Sequence, residues 1–225
     1  MLALSTRKQF NCLSSYGIET ISNQTLEFIQ PFFETLPPDP YLEGNYRFRR
    51  FSHFRINNTR LTQLPHAFFY QSKTYNPLLG NVKRDYPELS VTLAQSKAFH
   101  QVVFTFFEFC QQCSPFQTVG VHQIRITTDP SQSGNPAPEG IHHDGVDLVG
   151  ILCIARHSVS GAETQLSVVK GADPILRKVL NPGELLVFND HQFFHYTTPI
   201  LPLGKQGYRD VFVFTCPDLP FDPSA

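Results

Sequence analysis

Tryptophan is absent from this 225-residue chain, methionine occurs once, and only 16% of the residues are charged. The formal net charge of −1 provides no positive field for a nucleic-acid backbone or an acidic membrane. No stretch reaches the ~18 consecutive apolar residues of a membrane span. Met1–Phe10 carries Arg7 and Lys8 but lacks the apolar centre of a signal peptide. A second CxxC is also missing. Cys110 and Cys113 form the one such pair, beside Cys12, Cys153 and Cys216, which excludes a four-cysteine zinc site and predicts two ordinary thiols. Together these absences predict a reduced, cytoplasmic protein with neither nucleic acid nor membrane as partner. Monomer and homodimer are both compatible with them.

Phenylalanine is what the chain has in excess, with 21 residues, so the core is expected to be built from it, largely on strands. The length suits one domain, 1–225. Its first part, 1–115, reads as helical with one strand. Ser22 is a candidate N-cap for a helix that Pro31 kinks and Pro37-Pro38 ends. Residues 46–56 alternate aromatic and charged side chains, predicting a half-buried strand with a slip near Arg49-Arg50 and its charges in solvent. Residues 64–87, with Pro65, Pro77, Gly80 and Pro87, predict a long loop of the kind that covers a binding site. From 88 to 113 a stripe of Val91, Ala94, Ala98, Val102 and Phe106, broadened by Phe99, Val103, Phe107 and Cys110, predicts one long helix against a sheet. After Pro115, short apolar runs at 117–127, 141–154, 163–169, 184–189, 193–199 and 208–216 predict consecutive strands. The expected fold is α+β but mainly β. A double-stranded β-helix (jelly roll, cupin-like) over 116–217 would carry the N-terminal helices packed on it.

The chemistry concentrates in Glu139-Gly140-Ile141-His142-His143-Asp144-Gly145. On a strand, residues i and i+2 share a face, so His142 and Asp144 can aim a nitrogen and an oxygen at one point. A second histidine would complete a 2-His-1-carboxylate centre for non-haem Fe(II). His195, among Phe193, Phe194 and Tyr196, has the water-excluding surroundings for that task, whereas His191 follows Asn189-Asp190 in an expected turn. Adjacent His142 and His143 keep a second reading open: a cupin-like zinc-binding protein or metal hydrolase using the same cluster.

Three segments resemble the bacterial 2-oxoglutarate/Fe(II) dioxygenases typified by L-isoleucine 4-hydroxylase. They are Glu-Gly-Ile-His-His-Asp-Gly-Val-Asp at 139–147, Gly-Glu-Leu-Leu-Val-Phe-Asn-Asp at 183–190 with its following His195 and Pro199-Ile200, and Tyr-Arg-Asp-Val-Phe-Val at 208–213. The resemblance spans roughly residues 117–217. It implies His142, Asp144 and His195 as catalytic iron ligands, and Arg209 as the partner of the distal carboxylate of 2-oxoglutarate. Arginine suits that task because its planar fork matches a carboxylate with two charge-assisted hydrogen bonds. His143 stands where that family commonly has arginine. The implied reaction consumes O₂ and 2-oxoglutarate, releases succinate and CO₂, and hydroxylates an unactivated C–H of a free L-amino acid or similar small molecule. Asp144 favours hydroxylation, since related halogenases carry a small residue there. On 121–126, one face offers Gln123 for the cosubstrate and Arg125 for a substrate carboxylate, unless both face solvent. Glu139 is expected to orient the loop before the ligands, with a substrate ammonium as the alternative.

Overall fold

The computed structural model describes residues 16–220. Its main sheet is seven-stranded and antiparallel, in the order β1-β9-β5-β12-β4-β2-β3. The strands are β1 (Tyr16–Thr20), β2 (Arg47–Asn57), β3 (Arg60–Gln63), β4 (Thr118–Thr128), β5 (Leu148–His157), β9 (Glu184–Asn189) and β12 (Gly207–Cys216). A three-stranded sheet orders β10 (Phe194–Thr197), β7 (Glu163–Ser167) and β8 (Leu176–Val179). Strands β6 (Val159–Gly161) and β11 (Ile200–Pro202) form a two-stranded pair. The molecule is mostly β, as the run of short apolar segments predicts.

Helices lie on one face of the main sheet. Helix α1 (Asn23–Ile29) begins at Ser22, whose hydroxyl accepts from the Thr25 N–H, and a 3₁₀ turn with Pro31 follows it. Where one long helix is expected there are two, α2 (Val91–Ala94) and α3 (Lys97–Cys113), with Gln95-Ser96 between them. Ser90 and Ser96 each cap a new N-terminus, so the side chain that stabilises a start also marks a break. Most of the predicted stripe is buried in α3 (Phe99, Val102, Val103, Phe106, Phe107, Cys110), but Val91, on the separate α2, is exposed and Ala98 is only half-buried. It packs against Leu148, Leu152, Phe212 and Phe214 of the sheet. At Gly150 a Cβ would stand 2.7 Å from the Phe106 ring, so glycine allows the close approach of α3. Removing one such phenylalanine side chain would cost about 3–5 kcal/mol. Cys110 is a free buried thiol, whereas Cys113 is disulfide-bonded, so the pair is not two ordinary thiols. The expectation for Met1–Phe10 lies outside the described residues.

Strand alternation sends the opposite face elsewhere. Val149, Ile151 and Cys153 of β5 and Leu186 and Phe188 of β9 meet Leu166, Leu180 and Phe193, which joins the main sheet to the smaller one. Further along that face, β2, β4 and β12 present Arg47, Arg49, His122, Ile124, Ile126, Arg209, Val211 and Val213 to a cavity. The predicted slip in β2 does not occur. It pairs in continuous register with β4 from Arg47↔Ile126 to Arg55↔Thr118. Its apparent loss of alternation arises because Phe51, Ser52, His53 and Phe54 are all buried, one face under helices and the other under the irregular segment 64–87. For the same reason Arg47 and Arg49 are buried rather than solvated.

Candidate active site

The cavity opens between the main sheet, the segment 64–87, the loop before β5, and β10. Its volume is about 100 Å³. His142, Asp144 and His195 line it, and each offers a donor atom within 4.8 Å of the others. His142 Nε2 lies 3.6 Å from Asp144 Oδ1, and His195 Nε2 lies 3.6 Å from Asp144 Oδ2.

This convergence does not arise from strand alternation. Residues 141–147 precede β5, which begins at Leu148. Instead His142 pairs with His195 in an isolated antiparallel bridge, His142 N–H donating to His195 O (3.1 Å) and the reverse (2.9 Å). The chain then turns at Gly145, whose φ of +85° favours glycine. A Cβ there would also stand 2.7 Å from the Tyr75 ring. The turn closes on a residue that sequence reasoning treats as part of a surface turn, Asp190. Its side chain accepts from the backbone N–H groups of Asp144 (2.9 Å), Gly145 (2.7 Å) and Val146 (3.2 Å). Its other oxygen lies 3.6 Å from His195 Nδ1. One buried carboxylate thus shapes the Asp144 loop and faces the back of the His195 ring. No local pattern announces it, because the bonds join residues 44 to 46 positions apart.

The donor set suits a divalent metal. His142 Nδ1 contacts Gly140 O at 2.8 Å, which keeps a proton on that nitrogen and turns Nε2 toward Asp144. Burial opposes the ionised form of Asp144, but His142, His195 and Gln71 outweigh it and hold the carboxylate below the usual range. Burial also opposes protonation of His142, yet Asp144 and Glu139 raise it to about 9. Burial and the neighbouring His142 lower His195 to about 3. A cation held by Asp144 would replace the His142 proton, as ligation by a neutral imidazole requires. His143 turns away, its ring centroid 3.8 Å from that of Phe194. His191 is exposed in its turn and meets Asp147 at 3.1 Å.

Arg209 lines the same cavity and is 2% exposed, with Nε and one Nη lacking any hydrogen-bond partner. Burial lowers its pKa, which marks a cation short of an anion. Gln123 and Arg125 do not join it. The alternation of β4 gives His122, Ile124 and Ile126 to the cavity and sends the two polar residues to the helical face. There Gln123 donates to Phe32 O (3.0 Å), and Arg125 grips Asp210 with two bonds of 2.7 Å. Gln123 is buried, Arg125 is half-buried, and neither lines the cavity of the metal cluster. Glu139 does line the cavity, with Oε1 3.2 Å from His142 Nε2. Three further lining residues escape the sequence reading: Gln71, which donates to Asp144 Oδ1 (2.9 Å), Arg49 and Arg84. The same-face phase of Arg47, Arg49, Phe51 and His53 is the signal that could have found Arg49.

Residues 30–215 match the family described as 2OG-Fe dioxygenase. Among curated proteins, the chain is 26% identical over 200 residues to 3(1)-hydroxy-L-isoleucine 4-dioxygenase of Pantoea ananatis, covering 84% of this chain and 80% of that one. A solved bsmA homologue from Methylobium petroleophilum PM1 is 30% identical, with a TM-score of 0.78 over 90% of this chain and 84% of the other. IDO from Bacillus thuringiensis shares the fold at 18% identity, with a TM-score of 0.72 over 88% and 89% of the two chains. No helix among the described residues is long and apolar enough to cross a membrane.

Proposed function

We propose, from the premise that this chain belongs to the 2OG-Fe dioxygenase family and is a 2-oxoglutarate-dependent oxygenase, that it hydroxylates an unactivated C–H of a free L-amino acid or similar small molecule. The carrying observation is that three convergent metal donors face the same cavity as Arg209, a buried guanidinium with no acidic partner. In this reading His142, Asp144 and His195 hold Fe(II), and Arg209 pairs with the distal carboxylate of 2-oxoglutarate. When bound, the iron with 2-oxoglutarate and O₂ supplies the oxidising power, giving succinate and CO₂.

The protein's own contribution is placement. Asp190 and the His142–His195 bridge fix the ligand geometry before any ion arrives, which lowers the ordering cost of binding. Ile151, Val211 and Val213 lie on the cavity wall with Arg209, and such apolar walls strengthen a guanidinium–carboxylate pair by excluding water. The amino-acid substrate is supported by the name of the Pantoea relative. A zinc hydrolase using the same cluster would leave Arg209 without a task. We also read residues 116–217, with two antiparallel sheets meeting through one core, as a double-stranded β-helix within a single domain.

Anaerobic addition of Fe(II) and 2-oxoglutarate should give a weak visible charge-transfer band that His142→Ala abolishes. Succinate release with Fe(II), ascorbate and the common L-amino acids should then identify the substrate. Absence of both band and succinate would refute the reading, and tight zinc in protein purified without added metal would favour the hydrolase.

A further inference from the structure

Two guanidinium groups on the cavity wall have no part in the chemistry described so far. Arg49 of β2 is 6% exposed and Arg84 of the 64–87 segment 2%. Both lie against the Phe69 ring, at 5.4 Å and 4.3 Å from its centroid. Arg49 also stands 4.5 Å from the centre of Tyr86. Each leaves its Nε without a hydrogen-bond partner. Their remaining bonds go to neutral groups: Arg49 Nη2 to His122 Nδ1 (2.7 Å) and Arg84 Nη2 to Gln71 Oε1 (2.9 Å). The neighbouring Arg47, by contrast, is neutralised by Asp39 at 2.7 Å. The two acids lining the cavity, Asp144 and Glu139, both face His142.

Two unneutralised cations in one buried wall cost several kcal/mol, and the strain is visible in both. Burial lowers the pKa of Arg49. Burial and then the charge of Arg49 push Arg84 down to about 10. Aromatic faces and neutral acceptors offset part of this cost, but an anion would offset far more. Arg209 is not the group that such an anion would share. It lies on β12, two strands from β2, and its cross-strand neighbour through Ile126 is Arg47, two residues before Arg49. Strand spacing and rise place the backbones of Arg209 and Arg49 roughly 10–12 Å apart.

We propose that Arg49 and Arg84 form a second anion site that holds the carboxylate of the substrate, separate from the Arg209 site. This rests on the amino-acid reading above and specifies how that substrate is held. The site is built in advance. His122, which stacks on Phe51 (4.4 Å between ring centres), fixes Arg49, and Gln71 fixes Arg84. Gln71 also sets the reach, because its Nε2 donates to Asp144 Oδ1 while its Oε1 accepts from Arg84. The span from Arg84 Nη2 to the metal-binding carboxylate is therefore at most about 8 Å, two hydrogen bonds and one carboxamide. An acid seated there projects its chain toward the metal after only a few bonds, which selects small aliphatic amino acids over peptides.

The test is calorimetric binding to anaerobic protein loaded with Fe(II) and 2-oxoglutarate, so that nothing turns over. Wild type should bind L-isoleucine, or whichever amino acid supports succinate release, at least about tenfold more tightly than the corresponding carboxamide, since a charge-assisted pair contributes this much or more. Arg49→Met and Arg84→Met should erase that preference and leave 2-oxoglutarate affinity within about threefold, with Arg84→Lys restoring part of it. Equal weakening of acid and amide, or no weakening of either, overturns the proposal. If wild type binds no free amino acid, 4-methylpentanoate replaces it as probe. Binding lost in both Met variants then upholds the anion site while the amino-acid reading fails, and no binding to wild type overturns the site as well.

Discussion

Asp190 is the residue whose removal should be felt most widely, because four chain positions depend on one carboxylate. In Asp190→Ala the backbone N–H groups of Asp144, Gly145 and Val146 lose their acceptor inside a protein wall where Asp190 is 1% exposed. A buried donor left unsatisfied costs about 1–3 kcal/mol. Three of them, less the burial cost of the carboxylate itself, give a loss of about 3–5 kcal/mol. For a chain of this size that corresponds to roughly 6–20 °C in Tm. Asp190→Asn keeps one oxygen for Gly145 and Val146 but turns an N–H₂ toward the Asp144 N–H or His195 Nδ1. It should lose about 1–2 kcal/mol while misplacing the metal ligands nearly as badly. Burial and the nearby Asp144 push the Asp190 carboxyl up to about 7 against the pull of its N–H bonds. Both variants should bind Fe(II) some 10–100-fold more weakly, as when a group orienting a metal ligand is lost. Thermal unfolding followed by circular dichroism gives the first quantity. Anaerobic Fe(II) titration of the 2-oxoglutarate charge-transfer band gives the second. An Asp190→Ala protein within 2 °C of wild type that titrates identically would show that the loop holds its shape without this side chain.

Arg209→Lys should raise the Kd of 2-oxoglutarate by about 10–100-fold and leave Fe(II) binding unchanged, because a point charge cannot replace a two-pronged contact; equilibrium titration of each ligand separates the two. Arg125→Ala should leave the KM for 2-oxoglutarate unaltered but lower stability by about 3–5 kcal/mol, since it strands Asp210, whose side chain is fully buried. A raised KM would return Arg125 to the binding site. Gly145→Ala forces a Cβ into positive φ and against Tyr75, costing about 1–2 kcal/mol in the backbone alone. Turnover should fall by more than tenfold, and Tyr75→Ala added to it should recover only part of the loss.

The elements that depend on local chemistry were legible in the residues. Ser22 caps the helix predicted for it, the stripe of α3 is the buried one, and the apolar runs at 184–189 and 208–216 are strands. The metal cluster was legible too, but for a reason the fold does not use. Residue alternation pointed to His142 and Asp144, whereas a bridge, a positive-φ glycine and Asp190 bring them together. Alternation alone misassigned Gln123 and Arg125, because a strand covered on both sides can bury its polar face under helices. That choice depends on what packs above each face, and no single strand encodes it. The pairing of β1 with β9, in a stretch read as helical lead-in, was hidden for the same reason. Its register comes from a partner more than 160 positions away, Tyr16 meeting Phe188.

The segment 64–87 is closed on itself by an isolated bridge, Phe69↔Arg84, and meets the chain end through another, Phe69↔Pro220, instead of joining a continuous ladder. Yet it contributes Phe69, Gln71, Asn76, Leu79 and Arg84 to the cavity wall. Reactivity and selectivity are thereby written on separately mutable pieces of chain. Under the proposed function, insertions or exchanges in 64–87 would remodel what the cavity admits while leaving the backbone of 141–147, β10 and β12, which carry His142, Asp144, His195 and Arg209, in place. Two contacts restrict this freedom near the cluster: Gln71, which is bonded to Asp144 and must be retained or replaced by another donor, and Tyr75, which packs on the Gly145 turn. Grafting this segment between relatives, with that donor kept, is therefore the direct route to transferring substrate preference in a single step.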